Sequence, residues 1–224
     1  MKRIFHFSLS FFLLMVLSSC DSHVPEDLAI HSGHILLNDG RIIKDTEYDP
    51  TIHTPVAVVF AQATDEHPTL SVLLDEIRYV SFSETLGFEQ GTSKSVGEYD
   101  GYKNTVSLQN THLKADSVSY GSPLGDIAFS HHWFSQSDYI PSVMELGLLY
   151  ASIDKVNAII KKCGGTPVSS EPHSASCWYW TSTEVEGNSA NQAWVFSMAN
   201  GTIHKAPKTN MYKARLIVEY NPVR

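Results

Sequence analysis

Apolar positions between residues 34 and 82 fall in short runs separated by turn-forming residues. His34-Ile35-Leu36-Leu37-Asn38 leads through Asp39-Gly40 into Arg41-Ile42-Ile43. An apolar segment, a turn dipeptide and a second apolar segment predict a β-hairpin. Pro55-Val56-Ala57-Val58-Val59-Phe60, Leu70 to Leu74 and Arg78 to Phe82 are apolar or β-branched stretches too short for helices, and they predict buried strands. From Ser83 to Asp138 the rhythm fades and Gly, Ser, Asn and Asp dominate. Most of that stretch is expected to be loop around small structural pieces, although it is long for a loop.

Helical spacing begins after Pro141. Ser142-Val143-Met144-Glu145 fits a capping box, with Leu146, Leu149 and Tyr150 on one face. Ser152 is placed to cap a second helix carrying Ile153, Val156, Ile159 and Ile160, with Lys161 and Lys162 at the negative end of its dipole and Gly164-Gly165 and Pro167 ending it. Strand patterns return at Trp178 to Ser182, at Ala193 to Met198 before the Asn200-Gly201 turn, and at Tyr212 to Tyr220. In the last of these Ala214, Leu216, Val218 and Tyr220 share one face and Lys213, Arg215 and Glu219 the other, with Ile217 as the exception.

The first residues obey a different rule. Lys2 and Arg3 precede an apolar run from Ile4 to Leu17, 14 residues that stop at Ser18-Ser19-Cys20. This is the outline of a secretory signal peptide, and it is shorter than the roughly 20 residues a membrane-spanning helix needs. The chain therefore divides into a leader over 1–19, a polar tether over 20–27 and one α+β domain over 28–224.

Composition sharpens this reading. Hydrophobic residues make up 42% and charged residues 18% of 224, ordinary for a globular chain, and the formal net charge is −8. Without the leader, 14 basic residues face 24 acidic ones, a net charge of −10. Such a surface repels phosphate backbones, so nucleic acid is not an expected partner. After Cys20, two cysteines remain, Cys163 and Cys177. An even pair in an exported protein predicts a disulfide between them, the alternative being two buried free thiols.

Several stretches resemble a known order of motifs. They are Tyr139-Ile140-Pro141-Ser142 with Glu145-Leu146 and Leu149-Tyr150, Gly164-Gly165-Thr166-Pro167, Tyr179-Trp180-Thr181-Ser182-Thr183-Glu184, Ala193-Trp194, Asn200-Gly201 and Ala214-Arg215. The resemblance is to the bacterial C-type-lectin-like domain of surface lipoproteins of gut anaerobes, also found at the C-terminus of bacterial collagen-like surface proteins. It is strongest over residues 139–220 and weaker over Gly33–Gly40, Pro55–Phe60 and Asp100–Thr105; Ile140, Thr181 and Ala214 depart mildly from the family pattern. Leu17-Ser18-Ser19-Cys20 is in turn similar to the lipobox of bacterial lipoproteins, which implies acylation of Cys20. What these resemblances imply is two helices flanking antiparallel sheets with long irregular loops, a location at the outer membrane or cell surface through a lipid anchor, and no enzymatic activity. Trp180, Glu184, Trp194 and Arg215 fall in the motifs and are expected to be structural, with Glu184 and Arg215 paired.

The chemistry visible in the residues is sparse. The Glu-Pro-Asn and Trp-Asn-Asp triplets that hold calcium in lectins of this class are missing, and Glu171-Pro172-His173 replaces an oxygen ligand with an imidazole. His112, His131, His132 and His173 have no companion ligands at metal spacing, so no metal or other cofactor is expected. No nucleophile elbow, phosphate-binding glycine loop or His-Glu-x-x-His helix occurs. The polar segments Val185–Gln192 and Lys205–Asn210 bracket strands, and Asn188, Asn191, Gln192, Lys205, Lys208, Asn210 and Tyr212 are the candidate contacts for a glycan or protein ligand. The expected function is a lipid-anchored binding or adhesion module, with a structural subunit of a pilus or envelope complex as the alternative. Cys20→Ala should abolish incorporation of labelled fatty acid; a variant that still carries label would place the anchor elsewhere.

Overall fold

The apolar runs at Ile35–Leu37, Pro55–Ala61 and Thr69–Leu73 form strands whose two faces are covered, whereas Arg78 and Tyr79 of the expected buried run Arg78–Phe82 are exposed, which corrects that expectation. The computed structural model describes residues 27–112, 121–130, 132–133, 136–172 and 175–220. The leader, Cys20 and the tether up to Glu26 lie outside the described residues, as do His131 and His173. Strands β1 (Ile35–Leu37) and β2 (Ile42–Ile43) form the expected hairpin. They continue one five-stranded antiparallel sheet with β3 (Pro55–Ala61), β4 (Thr69–Leu73) and the last strand β12 (Ile217–Tyr220), in the order β12-β4-β3-β1-β2.

The second sheet has the order β10-β9-β8-β11-β5, built from β5 (Ile77–Ser81), β8 (Trp178–Glu184), β9 (Gln192–Ser197), β10 (Ile203–Pro207) and β11 (Met211–Ala214). Its pairs are antiparallel except β8 with β11, which run parallel. A small hairpin joins β6 (His132–Trp133) to β7 (Gln136–Ser137). The chain passes from one large sheet to the other twice, from β4 to β5 through Leu74-Asp75-Glu76 and from β11 to β12 through Arg215-Leu216. The stretch 212–220, which reads as one alternating strand, is thus two strands in two sheets. Ile217 is no exception once both faces are buried: it packs with Tyr139 in one cluster while Leu216 and Val218 lie in the other.

Four helices clothe the sheets: α1 (Gly101–His112), α2 (Pro123–Ser130), α3 (Val143–Ala151) and α4 (Ile153–Lys162). Only α3 and α4 are expected from the sequence, so the long irregular segment before Asp138 is in part helical. Ile35, Val58, Phe60, Tyr179 and Phe196 share a core with Leu146 and Leu149 of α3 and Val156 and Ile160 of α4. Their strand neighbours Leu36, Ala57, Trp180 and Val195 face the opposite way, into a core with Leu108 of α1 and Leu124 and Ala128 of α2. Strands covered on both sides in this way are apolar at consecutive positions. Trp180 is fully enclosed and donates its indole N–H to the Val80 carbonyl at 2.8 Å, which removes the penalty of burying that donor.

The capping box of α3 is formed as expected. Ser142 Oγ accepts the Glu145 N–H at 3.3 Å and Glu145 Oε2 accepts the Ser142 N–H at 2.6 Å. Ser152 does not cap α4 with its side chain; its hydroxyl donates to carbonyls, including that of Phe60 at 3.2 Å. The helix ends at Gly164, whose φ of +77° suits a residue without Cβ.

Cys163 and Cys177 are free thiols, which corrects the expected disulfide. The intervening segment runs back along α4 instead of closing a tight loop: Asn157 bonds both the N–H and the C=O of Val168, at 2.8 and 2.9 Å, and the Ser169 N–H reaches Tyr179 Oη at 2.8 Å. Cys177 Sγ lies 3.5 Å from Ser197 Oγ, and burial pushes the Cys163 thiol up to about 11. Thiolate is the reactive form and Cys177 is closed off by burial, so native protein at pH 8 should resist iodoacetamide at both sites, Cys163 through its raised value and Cys177 through its inaccessibility, and should take up two alkyl groups once unfolded without reductant. A denatured chain that reacts only after reduction would restore the disulfide.

Candidate functional site

The ends of β8, β9 and β10 carry the polar segments, and a buried ion pair organises them. Register between β8 and β9 shifts between Trp180 and Glu184, an irregularity of the kind that re-aims side chains. Glu184 and Lys208 both have side chains with 0% exposure and are joined Oε1 to Nζ. Glu184 Oε1 also accepts the Gln90 N–H at 2.7 Å, and Oε2 accepts the Thr92 N–H at 3.1 Å. The Glu184 N–H donates to the Ser93 carbonyl at 3.1 Å. Lys208 Nζ donates to the Phe88 carbonyl at 3.0 Å and lies 5.4 Å from the centre of the Phe82 ring. Burial draws the Lys208 ammonium below its ordinary value, and the Glu184 carboxylate opposes that shift.

This arrangement corrects two expectations. Glu184 is paired with Lys208, not with Arg215, and Lys208 is a core cation that offers no surface to a ligand. Arg215 is buried elsewhere, donating through Nη2 to the Thr166 carbonyl, with Nε and Nη1 unpartnered. Beside it Glu76 accepts from Tyr179 Oη at 2.5 Å and pairs with Lys213 at 3.0 Å.

Of the remaining candidates, Asn188, Asn191 and Gln192 share one shoulder. Gln192 and Pro207 are directly opposite across β9 and β10, and the Lys208 N–H donates to the Asn191 carbonyl at 2.9 Å. Asn188 Nδ2 donates to Gln192 Oε1 and Asn191 Nδ2 to Asn188 Oδ1, each at 2.9 Å. Asn191 Oδ1 accepts the Gly87 N–H at 3.1 Å. These amides are engaged with one another and with the segment 83–93, so they stiffen the shoulder. Lys205 is exposed, its Nζ 5.5 Å from the centre of the Trp194 ring. Asn210 is exposed in the turn before β11, and Tyr212 is half-buried, edge-on to Trp180 at 5.0 Å.

The segment 83–96 is the part that sequence reasoning misses. Its Gly, Ser and Thr residues carry no periodicity, and its position follows from backbone groups satisfied by Glu184, by Asn104 Oδ1 (from the Ser93 N–H, 2.8 Å) and by the Ala190 carbonyl. Between its Lys94-Ser95-Val96 and the turn Val185-Glu186-Gly187 lies a cleft of about 490 Å³ with Trp194 and Lys205 in its walls. Trp194 is half-buried there. Among the described residues no group of three His, Cys, Asp or Glu side chains is placed to share a metal ion.

No family model and no curated protein matches the chain. Among solved structures it is similar to the crystal structure of a fimbrial protein from Bacteroides ovatus ATCC 8483, with a TM-score of 0.64 and 17% identity over 85% of this chain and 49% of that one. The chain thus spans about half the length of that protein. At such identity the likeness is one of fold, a mixed arrangement of helices and two largely antiparallel sheets.

Removing one partner of a buried pair strands the other charge, at about 3–5 kcal/mol. Glu184→Ala and Lys208→Met should each lower stability in urea by that order, and the double variant should lose less than the sum. Single variants within about 0.5 kcal/mol of the parent would mean the pair is not enclosed.

Proposed function

We propose that this chain is a subunit of a fimbria-like assembly at the bacterial cell surface, exported by its leader and held to the membrane through acylated Cys20, and that its body is a C-type-lectin-like domain in a structural role. The observation that carries the reading is the likeness in fold to a fimbrial protein over 85% of the chain. The rigid shoulder of Asn188, Asn191 and Gln192 supports it, because hydrogen-bonded amides on sheet ends make a preorganised polar rim for a neighbouring subunit. No catalytic step is proposed. Cross-linking on intact cells should recover the chain in a complex of fixed composition, and immunogold label should follow surface filaments or their bases. Recovery solely as a free monomer, with label spread evenly over the envelope, would overturn the assignment.

A second reading, a binding module for a glycan, is favoured by the cleft beside Trp194, where an aromatic ring and the Lys205 ammonium meet. Saccharide titrations followed by tryptophan fluorescence should then give a response that is the same with calcium and with chelator and is lost in Lys205→Ala. A flat response to acidic and neutral saccharides alike would remove this reading.

A further inference from the structure

Tyr139, Glu145 and Glu219 meet where the C-terminal strand β12 touches the start of α3. Tyr139 Oη lies 3.3 Å from Glu145 Oε1 and 3.2 Å from Glu219 Oε1. A phenol has one hydroxyl proton and can donate it once. Two ionised carboxylates around it would compete for a single donor and repel each other. With one further proton, one carboxyl donates to Tyr139 Oη while Tyr139 donates to the other, and both contacts are satisfied.

Beyond the Ser142 N–H on Glu145 and the partial exposure of Glu219, the surroundings give the carboxylates little relief. Glu145 and Tyr139 are buried. Glu145 cannot swing aside, because Oε2 is held by the Ser142 N–H and packed so tightly on Gly101 that a Cβ there would lie 2.2 Å away. From α1 and its approach the facing groups are Asp100, Glu98 and Tyr99, with Tyr102 edge-on to Tyr139 at 5.9 Å. Behind Tyr99 stand Glu66 and His67, whose ring lies 4.8 Å from that of Tyr99. Next in the chain, Asp138 is buried with both oxygens unpartnered. Among the described residues neither Glu145 nor Glu219 has a lysine or arginine partner.

We propose that Tyr139, Glu145 and Glu219 form a proton-sharing latch that fastens β12 to the base of α3 and loosens when the shared extra proton is lost. The backbone makes β12 the element that responds. On one side it pairs with β4, and on the other it is held by two reciprocal hydrogen bonds of 3.0 Å between Tyr139 and Ile217. The latch thus joins side chains of the two residues' own segments, and its opening weakens the only bridge β12 makes on that side among the described residues. Burial raises Glu145 to about 7 and Glu219 above its ordinary value. For an acid whose folded value is raised, stability is fully present below the unfolded value, 4.5 for Glu145, and is lost as pH rises through the folded value. The working window therefore runs from about pH 5 to pH 8. This inference does not rest on the assembly proposed above.

Asp138, also raised to about 7 by burial, contributes its own pH dependence, so the test uses the full chain carrying Asp138→Asn. Hydrogen exchange of amides 217–220, corrected for the intrinsic rate, should speed at least about tenfold between pH 5.5 and pH 8, a change equal to one pH unit of linkage. Adding Glu219→Gln should flatten that dependence, while His67→Gln should leave it. A tenfold change that survives Glu219→Gln, or no change in the parent, overturns the latch. Carbon-13 carboxyl titration of the unmodified chain tests it without a variant: Glu145 titrating near 7, coupled to a second glutamate raised above its ordinary value, is expected, and ordinary titration of every glutamate would refute it.

Discussion

An ionised carboxylate with no exposed surface is tolerated only when nearly all of its lone pairs are taken, and Glu184 imposes that condition on everything around it. One lysine and two backbone N–H groups meet it, and they come from two separate stretches of chain: Lys208 from beyond β10, Gln90 and Thr92 from the segment after β5. The segment 83–93 has few side chains able to bury themselves, so its course is set by this acceptor. The amide shoulder of Asn188 and Asn191 sits against the same segment through Gly87 and Ala190. A charge in the interior thereby fixes the shape of a polar surface that it never reaches.

The second organising constraint is the pair of crossings between sheets. β4 to β5 and β11 to β12 each leave one sheet for the other, and β12 lies against β4 as β11 lies against β5. Strands that change sheets at such corners couple the two layers mechanically. Both crossings converge on the polar group of Glu76, Tyr179, Lys213 and Arg215, so ionic contacts gather where the backbone departs from regular pairing. Arg215, with Nε and Nη1 unpartnered among the described residues, stands in the shorter of these crossings.

The two acidic environments behave oppositely. Glu184 is joined to a cation, whereas Glu145 and Glu219 meet a shared hydroxyl and, among the described residues, no lysine or arginine. Glu145 does two jobs, since the carboxylate that completes the capping box of α3 also faces β12. The amide shoulder, the buried ion pair beneath it and the Tyr139–Glu145–Glu219 group on β12 are thus separate parts of one scaffold.

Local patterns alone determined much of the scaffold. The Asp39-Gly40 hairpin, the runs that became β3, β4 and β5, and the capping box at Ser142 are legible because turn residues, burial on both faces and cap chemistry act over a few residues. α2 carried a readable start, with Ser122 Oγ accepting the Gly125 N–H at 3.0 Å and Pro123 in the first turn. α1 did not, because its buried face includes Asn104 and Thr105, whose bonds to Ser93, Asp100, Ser182 and Ile140 exist only in the folded chain. β10 is not legible as a strand, and its end falls in the polar segment Lys205–Asn210, because as an edge strand it is buried chiefly at Ala206. Which charge meets which was decided by tertiary structure alone: Glu184 with Lys208, Glu219 with Tyr139, and neither cysteine with the other. Such pairings depend on distances between segments far apart in the chain, and composition and spacing carry no record of those distances.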